Sequence, residues 1–95
     1  MKKVDGWTES DGKLSALFKC RDFKHALALL NSIGDIAEKL QHHPDIGIRN
    51  YNEVVVSTFT HDVEKITEKD FELAHEINDL LDYETTKEQI EANGE

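Results

Sequence analysis

Two short stretches carry the side chains best suited to chemistry: Glu38-Lys39-Leu40-Gln41-His42-His43-Pro44-Asp45 and, further along, Thr60-His61-Asp62. Imidazole titrates near neutral pH, so histidines held around one substrate can take up one proton and deliver another without a cofactor, which suits the addition or elimination of water. Each stretch also has a plainer reading. His42 and His43 at a helix C-terminus would be favoured by the helix dipole, and His61-Asp62 could simply open a turn. Glu38, His42, His43, His61 and Asp62 are all acceptable zinc ligands by type. Their spacing matches no zinc signature, however, and adjacent histidines point in different directions, so no metal is expected. His25 and His75 fall on predicted helices away from this cluster and are given no catalytic role. The chain has neither a glycine-rich phosphate loop nor a nucleophile elbow, which disfavours nucleotide and acyl-transfer chemistry.

The elements that would position these residues can be read from periodicity. Trp7 to Ser10 and Lys13 to Arg21 flank Asp11-Gly12, a dipeptide that tolerates the positive φ angles of a type I′ hairpin turn. In the second strand Leu14, Ala16, Phe18 and Cys20 alternate with Ser15, Leu17, Lys19 and Arg21, and the first set is expected in the core. Asp22 can cap a helix whose apolar stripe runs through Phe23, Ala26, Leu27, Leu30, Ile33, Ala37 and Leu40, with Pro44 ending it. Ile46 to Ile48 and Glu53 to Thr60 predict a second hairpin around Arg49-Asn50-Tyr51-Asn52. Val54, Val56, Thr58 and Thr60 would share one face; Val55, Ser57 and Phe59 would share the other, where apolar residues suggest a subunit interface. A final helix opens at Thr67, with Asp70 as a capping-box acid and Ile66 with Phe71 as a hydrophobic staple. Phe71, Ala74, Ile77, Asn78 and Leu81 trace its face, and residues 84–95 lose the stripe and are expected to fray.

The order strand, strand, helix, strand, strand, helix predicts an α+β fold, a four-stranded antiparallel sheet with two long helices on one face. Ninety-five residues without a dividing linker make one domain spanning 1–95. Twenty acidic against eleven basic residues, a formal charge of -9, oppose direct nucleic-acid binding. No signal sequence and no long apolar run are seen, so no membrane association and a cytoplasmic location are expected. Cys20, the sole cysteine, reads as a small core residue.

At Glu38-Lys39-x-x-His42-His43-Pro44, Tyr51, Thr60-His61-Asp62, Thr67-x-x-Asp70 and Ala74, the chain resembles the pterin-4a-carbinolamine dehydratase family over roughly Trp7 to Leu81. The resemblance implies the topology just read, assembled into dimers or tetramers. It also implies dehydration of 4a-hydroxytetrahydrobiopterin to quinonoid dihydropterin, in tetrahydrobiopterin recycling and without a cofactor. By position, it gives His42 and His61 the acid/base role, Glu38 a supporting one, and His43, Asp62 and Thr60 to substrate binding. Some members serve instead as dimerisation cofactors of a homeodomain transcription factor, so a non-catalytic binding module acting on a protein partner, as a transcriptional coactivator, is the alternative. Glu64-Lys65 stand where the family carries paired glycines, residues that normally permit positive φ.

Overall fold

The computed structural model describes residues 4–93 in backbone and 4–81 in side-chain detail. Strands β1 (Thr8–Ser10) and β2 (Lys13–Lys19) lead into helix α1 (Phe23–Leu40); strands β3 (Asp45–Arg49) and β4 (Glu53–Thr58) lead into helix α2 (Glu68–Asn93). The strands form one antiparallel sheet in the order β1-β2-β4-β3, so β4, the strand that leads toward the second histidine stretch, lies inside the sheet. This is the expected α+β arrangement. The expected frayed tail, residues 84–95, falls where side chains, and for the last two residues the backbone as well, lie outside the described residues.

Both hairpins turn through pairs of residues with positive φ: Asp11 and Gly12 at 55° and 75°, Asn50 and Tyr51 at 50° and 60°. This matches the right-handed twist of the flanking strands. Alternation then sorts the side chains. Leu14, Ala16, Val54, Val56 and Thr58 face the helices and are buried. Ser15 and Leu17 pair across the ladder with Ser57 and Val55 on the other face, where Ser15 Oγ donates to Ser57 Oγ at 3.2 Å. Buried Cys20 and Asn52 exchange bonds between the end of β2 and the β3–β4 turn: Cys20 N–H donates to the Asn52 carbonyl at 2.7 Å, and Asn52 Nδ2 donates to the Cys20 carbonyl at 3.1 Å.

Asp22 caps α1 as expected, accepting from the His25 N–H at 2.8 Å. The helix does not run to Pro44. It stops at Leu40 because Gln41 turns left-handed, with φ 53°. The Gln41 N–H then donates to the Glu38 carbonyl and the His42 N–H to the Ala37 carbonyl, a Schellman closure that satisfies the last carbonyls locally. His42 and His43 therefore follow the helix rather than end it. The α1 stripe is also rotated from the expected one. Ala26, Leu29, Ile33 and Ala37 are buried, whereas Phe23 is 50% exposed and Leu27 41%. Leu29 completes a period that the apolar-rich sequence leaves ambiguous.

On α2 the buried face is Asp70, Leu73, Ala74 and Ile77, with Phe71 and Leu81 at its margin. Leu73 was not on the expected stripe. The polar interruption at Asn78 has a structural use. Its Oδ1 accepts from Trp7 Nε1 at 2.9 Å, and its Nδ2 donates to the Asp5 carbonyl at 3.0 Å, tying the N-terminal segment to α2. Trp7 in turn packs edge-on against Phe18, 5.8 Å between centroids.

Between β4 and α2 the chain makes a tight loop closed by reciprocal backbone bonds between Thr60 and Lys65. Glu64 sits in this loop with φ 53°, the left-handed conformation that glycine adopts without cost. An L-residue with a Cβ loses roughly 1–2 kcal/mol there, partly offset by the lower unfolded-state entropy of a non-glycine residue. Glu64→Gly is expected to stabilise the fold by about 0.5–1 kcal/mol, read as a higher urea midpoint at unchanged m-value. A lower midpoint would show that the Glu64 side chain contributes more than its backbone costs.

Candidate active site

The site grows from an extension of the β3–β4 register. Asp45 pairs with Ser57 where β3 enters the sheet, and the segment just before it meets the chain just beyond β4 at Asp70, to which both His42 and Thr60 are hydrogen-bonded. The N-terminus of α2 closes over them. At the junction lies Asp70, fully buried and charged.

A buried carboxylate is tolerable only when its acceptor sites are filled, and here four donors meet it. Oδ1 accepts from His42 Nε2 at 2.6 Å and from Thr58 Oγ1 at 2.6 Å. Oδ2 accepts from Thr60 Oγ1 at 2.8 Å and from the Thr67 N–H at 2.8 Å. Because the single Thr60 hydroxyl proton is committed to Asp70, the Thr67 hydroxyl must be the donor in its 2.6 Å bond to Thr60. Burial is the largest influence on Asp70 and by itself would raise its pKa. The bonds from Thr58, His42, the Thr67 backbone and Thr60 together outweigh it, holding the carboxyl below the ordinary aspartate value of 3.8. An ionised carboxylate only accepts, so His42 Nε2 carries a proton and donates it. In the neutral ring the lone pair then lies on Nδ1, which makes no hydrogen bond among the described residues. A carboxylate-anchored imidazole of this kind has its tautomer and orientation fixed, a suitable state for proton transfer.

The other site residues lie outward. Glu38, from the last turn of α1, bonds His43 Nε2 at 2.5 Å, and both side chains are exposed. Together with Asp35, Pro44 and Ile46 they line an open groove of about 410 Å³ between α1 and β3. Glu38 thus partners His43, not His42. His61 and Asp62 sit exposed on the β4–α2 loop, and the His61 ring rests against Phe59 at 4.3 Å between centroids. Thr60 is buried with its hydroxyl committed inward. The structure therefore joins His42 to Thr60 through Asp70, pairs His43 with Glu38, and leaves His61 and Asp62 on the adjoining rim without a hydrogen bond to the other two histidines. Tyr51 lies at the opposite end of the β3–β4 hairpin. His25 is absorbed into the α1 cap, its Nδ1 accepting from the Arg21 N–H at 3.1 Å. Among the described residues, no three His, Cys, Asp or Glu side chains stand where they could share one metal ion.

Sequence reasoning placed Asp70 as a helix cap and as part of the family motif, without a role at the site, and gave Thr58 no role beyond a sheet face. A signal was present: two threonines at inward positions of a central strand need a polar partner, and the acid opening the next helix was available to supply it.

The chain is thus a small α+β domain in which a carboxylate-anchored histidine is bordered by an exposed His–Glu pair and a His–Asp loop, side chains able to exchange protons near neutral pH. The model for pterin 4 alpha carbinolamine dehydratase matches residues 1–80. A protein of Herpetosiphon aurantiacus is 44% identical over 81 residues, 85% of this chain and 83% of that one. One of Christiangramia forsetii is 40% identical over 82 residues, 86% and 84% of the two chains. The names of both place them provisionally among the pterin-4-alpha-carbinolamine dehydratases. A Brucella melitensis crystal structure described as a transcriptional coactivator/pterin dehydratase superposes with a TM-score of 0.72 at 35% identity, covering 79% of this chain and 81% of that one. A pterin dehydratase-like RuBisCO assembly factor of the alpha-carboxysome shares the fold, with a TM-score of 0.63 at 16% identity. The chain belongs to the pterin-4a-carbinolamine dehydratase family.

The Asp70 network fixes the sign of an acid-dependent stability term. The folded pKa lies below the unfolded one, so ionised Asp70 favours the folded state above about pH 3.8, and that contribution is lost as pH falls through the folded value. Urea unfolding from about pH 6 down to pH 3 should show wild type losing more stability than Asp70→Asn across this window. At neutral pH Asp70→Ala should cost about 3–5 kcal/mol, because it strands the donors of a buried network. Parallel pH profiles for wild type and Asp70→Asn would contradict the assignment.

Proposed function

We propose that this protein catalyses the dehydration of 4a-hydroxytetrahydropterins to quinonoid dihydropterins, as a step in tetrahydrobiopterin recycling in the cytoplasm. The observation that carries the reading is the anchoring of His42 by Asp70 beside the Thr60-His61 loop, within a fold and family of pterin dehydratases. In the reaction the C4a–O bond breaks and the hydroxyl leaves as water after gaining a proton. N5 loses its proton, and a C4a–N5 double bond forms, so no electron donor or acceptor is needed. His42 and His61 divide the acid and base roles, each positioned group contributing about 10²–10⁴ in rate. His43, held by Glu38 at the groove, orients the pterin, and exposed Asp62 assists binding from the loop. Thr60 acts on the substrate site from within, through Asp70, because its hydroxyl is already committed.

The sheet face opposite the helices supports self-association. Leu17 is 42% exposed there, beside Val55 and Gly47 in an open groove of about 680 Å³. A homo-oligomer, dimer or tetramer, would cover it. The same apolar face favours a second reading, a partner-binding coactivator role of the kind named for the Brucella protein.

Purified protein is expected to form quinonoid dihydropterin, followed by absorbance, with a rate unchanged by chelator. His42→Ala and His61→Ala should each lower turnover by about 10²-fold or more while circular dichroism stays native. His25→Ala and His75→Ala should leave it unchanged, and His43→Ala should raise KM more than it lowers kcat. Wild-type rates in both His42→Ala and His61→Ala would favour the binding-module reading. Sedimentation at micromolar concentration should give a species larger than the monomer, and a monomer would defeat the assembly proposal.

A further inference from the structure

Thr58 is an unexpected residue for its place. It occupies an inward position of β4 that continues the run of Val54 and Val56, and it is 1% exposed. A valine would fill the same volume without bringing a hydroxyl into the core. The hydroxyl is used: Oγ1 donates to Asp70 Oδ1 at 2.6 Å, the same oxygen that accepts from His42 Nε2 at 2.6 Å. Thr60 and the Thr67 N–H occupy the other oxygen. Thr58 thus shares one acceptor with the anchored histidine, while the remaining donors do not.

We propose that Thr58 is a positioning residue for His42: by sharing Asp70 Oδ1 it fixes the direction in which that oxygen meets the ring and limits how strongly the carboxylate draws the His42 proton. Two hydrogen bonds to one oxygen weaken each other as demands on the same electron density. Removing the Thr58 donor leaves the oxygen to His42 alone, which favours the doubly protonated ring and frees the carboxylate to shift. Asp70 is the charged group in direct contact with His42. Glu38 of α1 pairs with His43, and Lys39 of α1 with Glu76 of α2; Asp35 of α1, Asp45 of β3, and Glu68 and Lys69 in the first turn of α2 are exposed. Those of the β4–α2 loop, His61, Asp62, Glu64 and Lys65, are exposed. The one hydroxyl that β4 presents to Asp70 is that of Thr58, so Thr58 is the strand's lever on that oxygen. The effect on turnover rests on the dehydratase reading; the effect on the ring does not.

The test compares wild type, Thr58→Val and Thr58→Ser in two measurements. Nitrogen-15 spectra of the His42 ring should show the Nε2–H tautomer in the neutral wild-type ring. Thr58→Val should move the His42 ring nitrogen resonances away from their wild-type positions, and Thr58→Ser should restore them. In the dehydratase assay Thr58→Val should lower kcat about 3- to 10-fold with KM nearly unchanged, as expected for losing part of one charge-assisted hydrogen bond. Thr58→Ser should recover most of that loss. A His42 ring spectrum identical in wild type and folded Thr58→Val would overturn the proposal, whatever the activity. If Thr58→Val fails to fold, a Thr58→Ser ring spectrum unlike wild type would equally overturn it, and a match would support it. A changed His42 ring spectrum in Thr58→Val, in a protein whose wild type has no dehydratase activity, would support the positioning role and defeat the enzymatic reading.

Discussion

The buried carboxylate of Asp70 is where the three parts of the molecule that form the site are fastened together. It receives His42 from the segment after α1, Thr58 and Thr60 from β4 and the residue beyond it, and the Thr67 backbone from the start of its own helix. A charge placed in a core is unfavourable unless it is saturated with donors. Here saturation requires all of those segments at once, so the requirement becomes a geometric constraint. α2 cannot slide or rotate on the sheet without stripping a donor from an ionised group. The apolar contacts of Leu73, Ala74 and Ile77 supply nonspecific attraction between helix and sheet, and the Asp70 bonds set the register of that contact.

This division also separates two functions within the site. His42 is largely enclosed and oriented by an ionised partner, a setting that fixes which ring nitrogen carries the proton. His43, Glu38, His61 and Asp62 are exposed, where a substrate can reach them. The proposed dehydration would use both kinds of group, one handling a proton in a defined protonation state while the ring system enters from solvent. The Schellman closure at Gln41 makes the arrangement possible. It ends α1 at Leu40, two residues before His42, so that the following two histidines can diverge, one inward to Asp70 and the other outward to Glu38.

The acidic character of the chain, formally -9, coexists with an apolar outer sheet face carrying Leu17 and Val55. Exposed apolar side chains also occur elsewhere, Phe23 and Leu27 on α1 among them, and on the sheet face they would suit a partner that also presents apolar side chains. The same sheet thus supports the candidate site with one face and carries the open groove beside Leu17 and Val55 on the other. β2 and β4, which face both ways at the centre, couple the two.

Much of the fold was legible because it rests on local chemistry. The Asp11-Gly12 turn, the inward alternation of Leu14, Ala16, Val54 and Val56, the Asp22 cap and the capping-box opening at Thr67 each follow from a few neighbouring residues. The sequence also singled out the histidine stretches and, through its resemblance, the family to which the chain belongs. What it could not decide were the matters that depend on distant partners. Phe23 and Leu27 are as apolar as Leu29, and only packing against the sheet chose which stripe of α1 is buried. Pro44 was the obvious helix stop, yet the left-handed turn at Gln41 ended the helix first. Glu38 could have supported either histidine, and Asp70 could have been no more than a cap. Their pairings were decided when the sheet brought the segment before β3 near the end of β4 and the core packing of α2 placed a carboxylate between His42 and Thr60. A buried charge accepts only an arrangement that fills its acceptor sites, and those donors come from parts of the chain that local sequence does not connect.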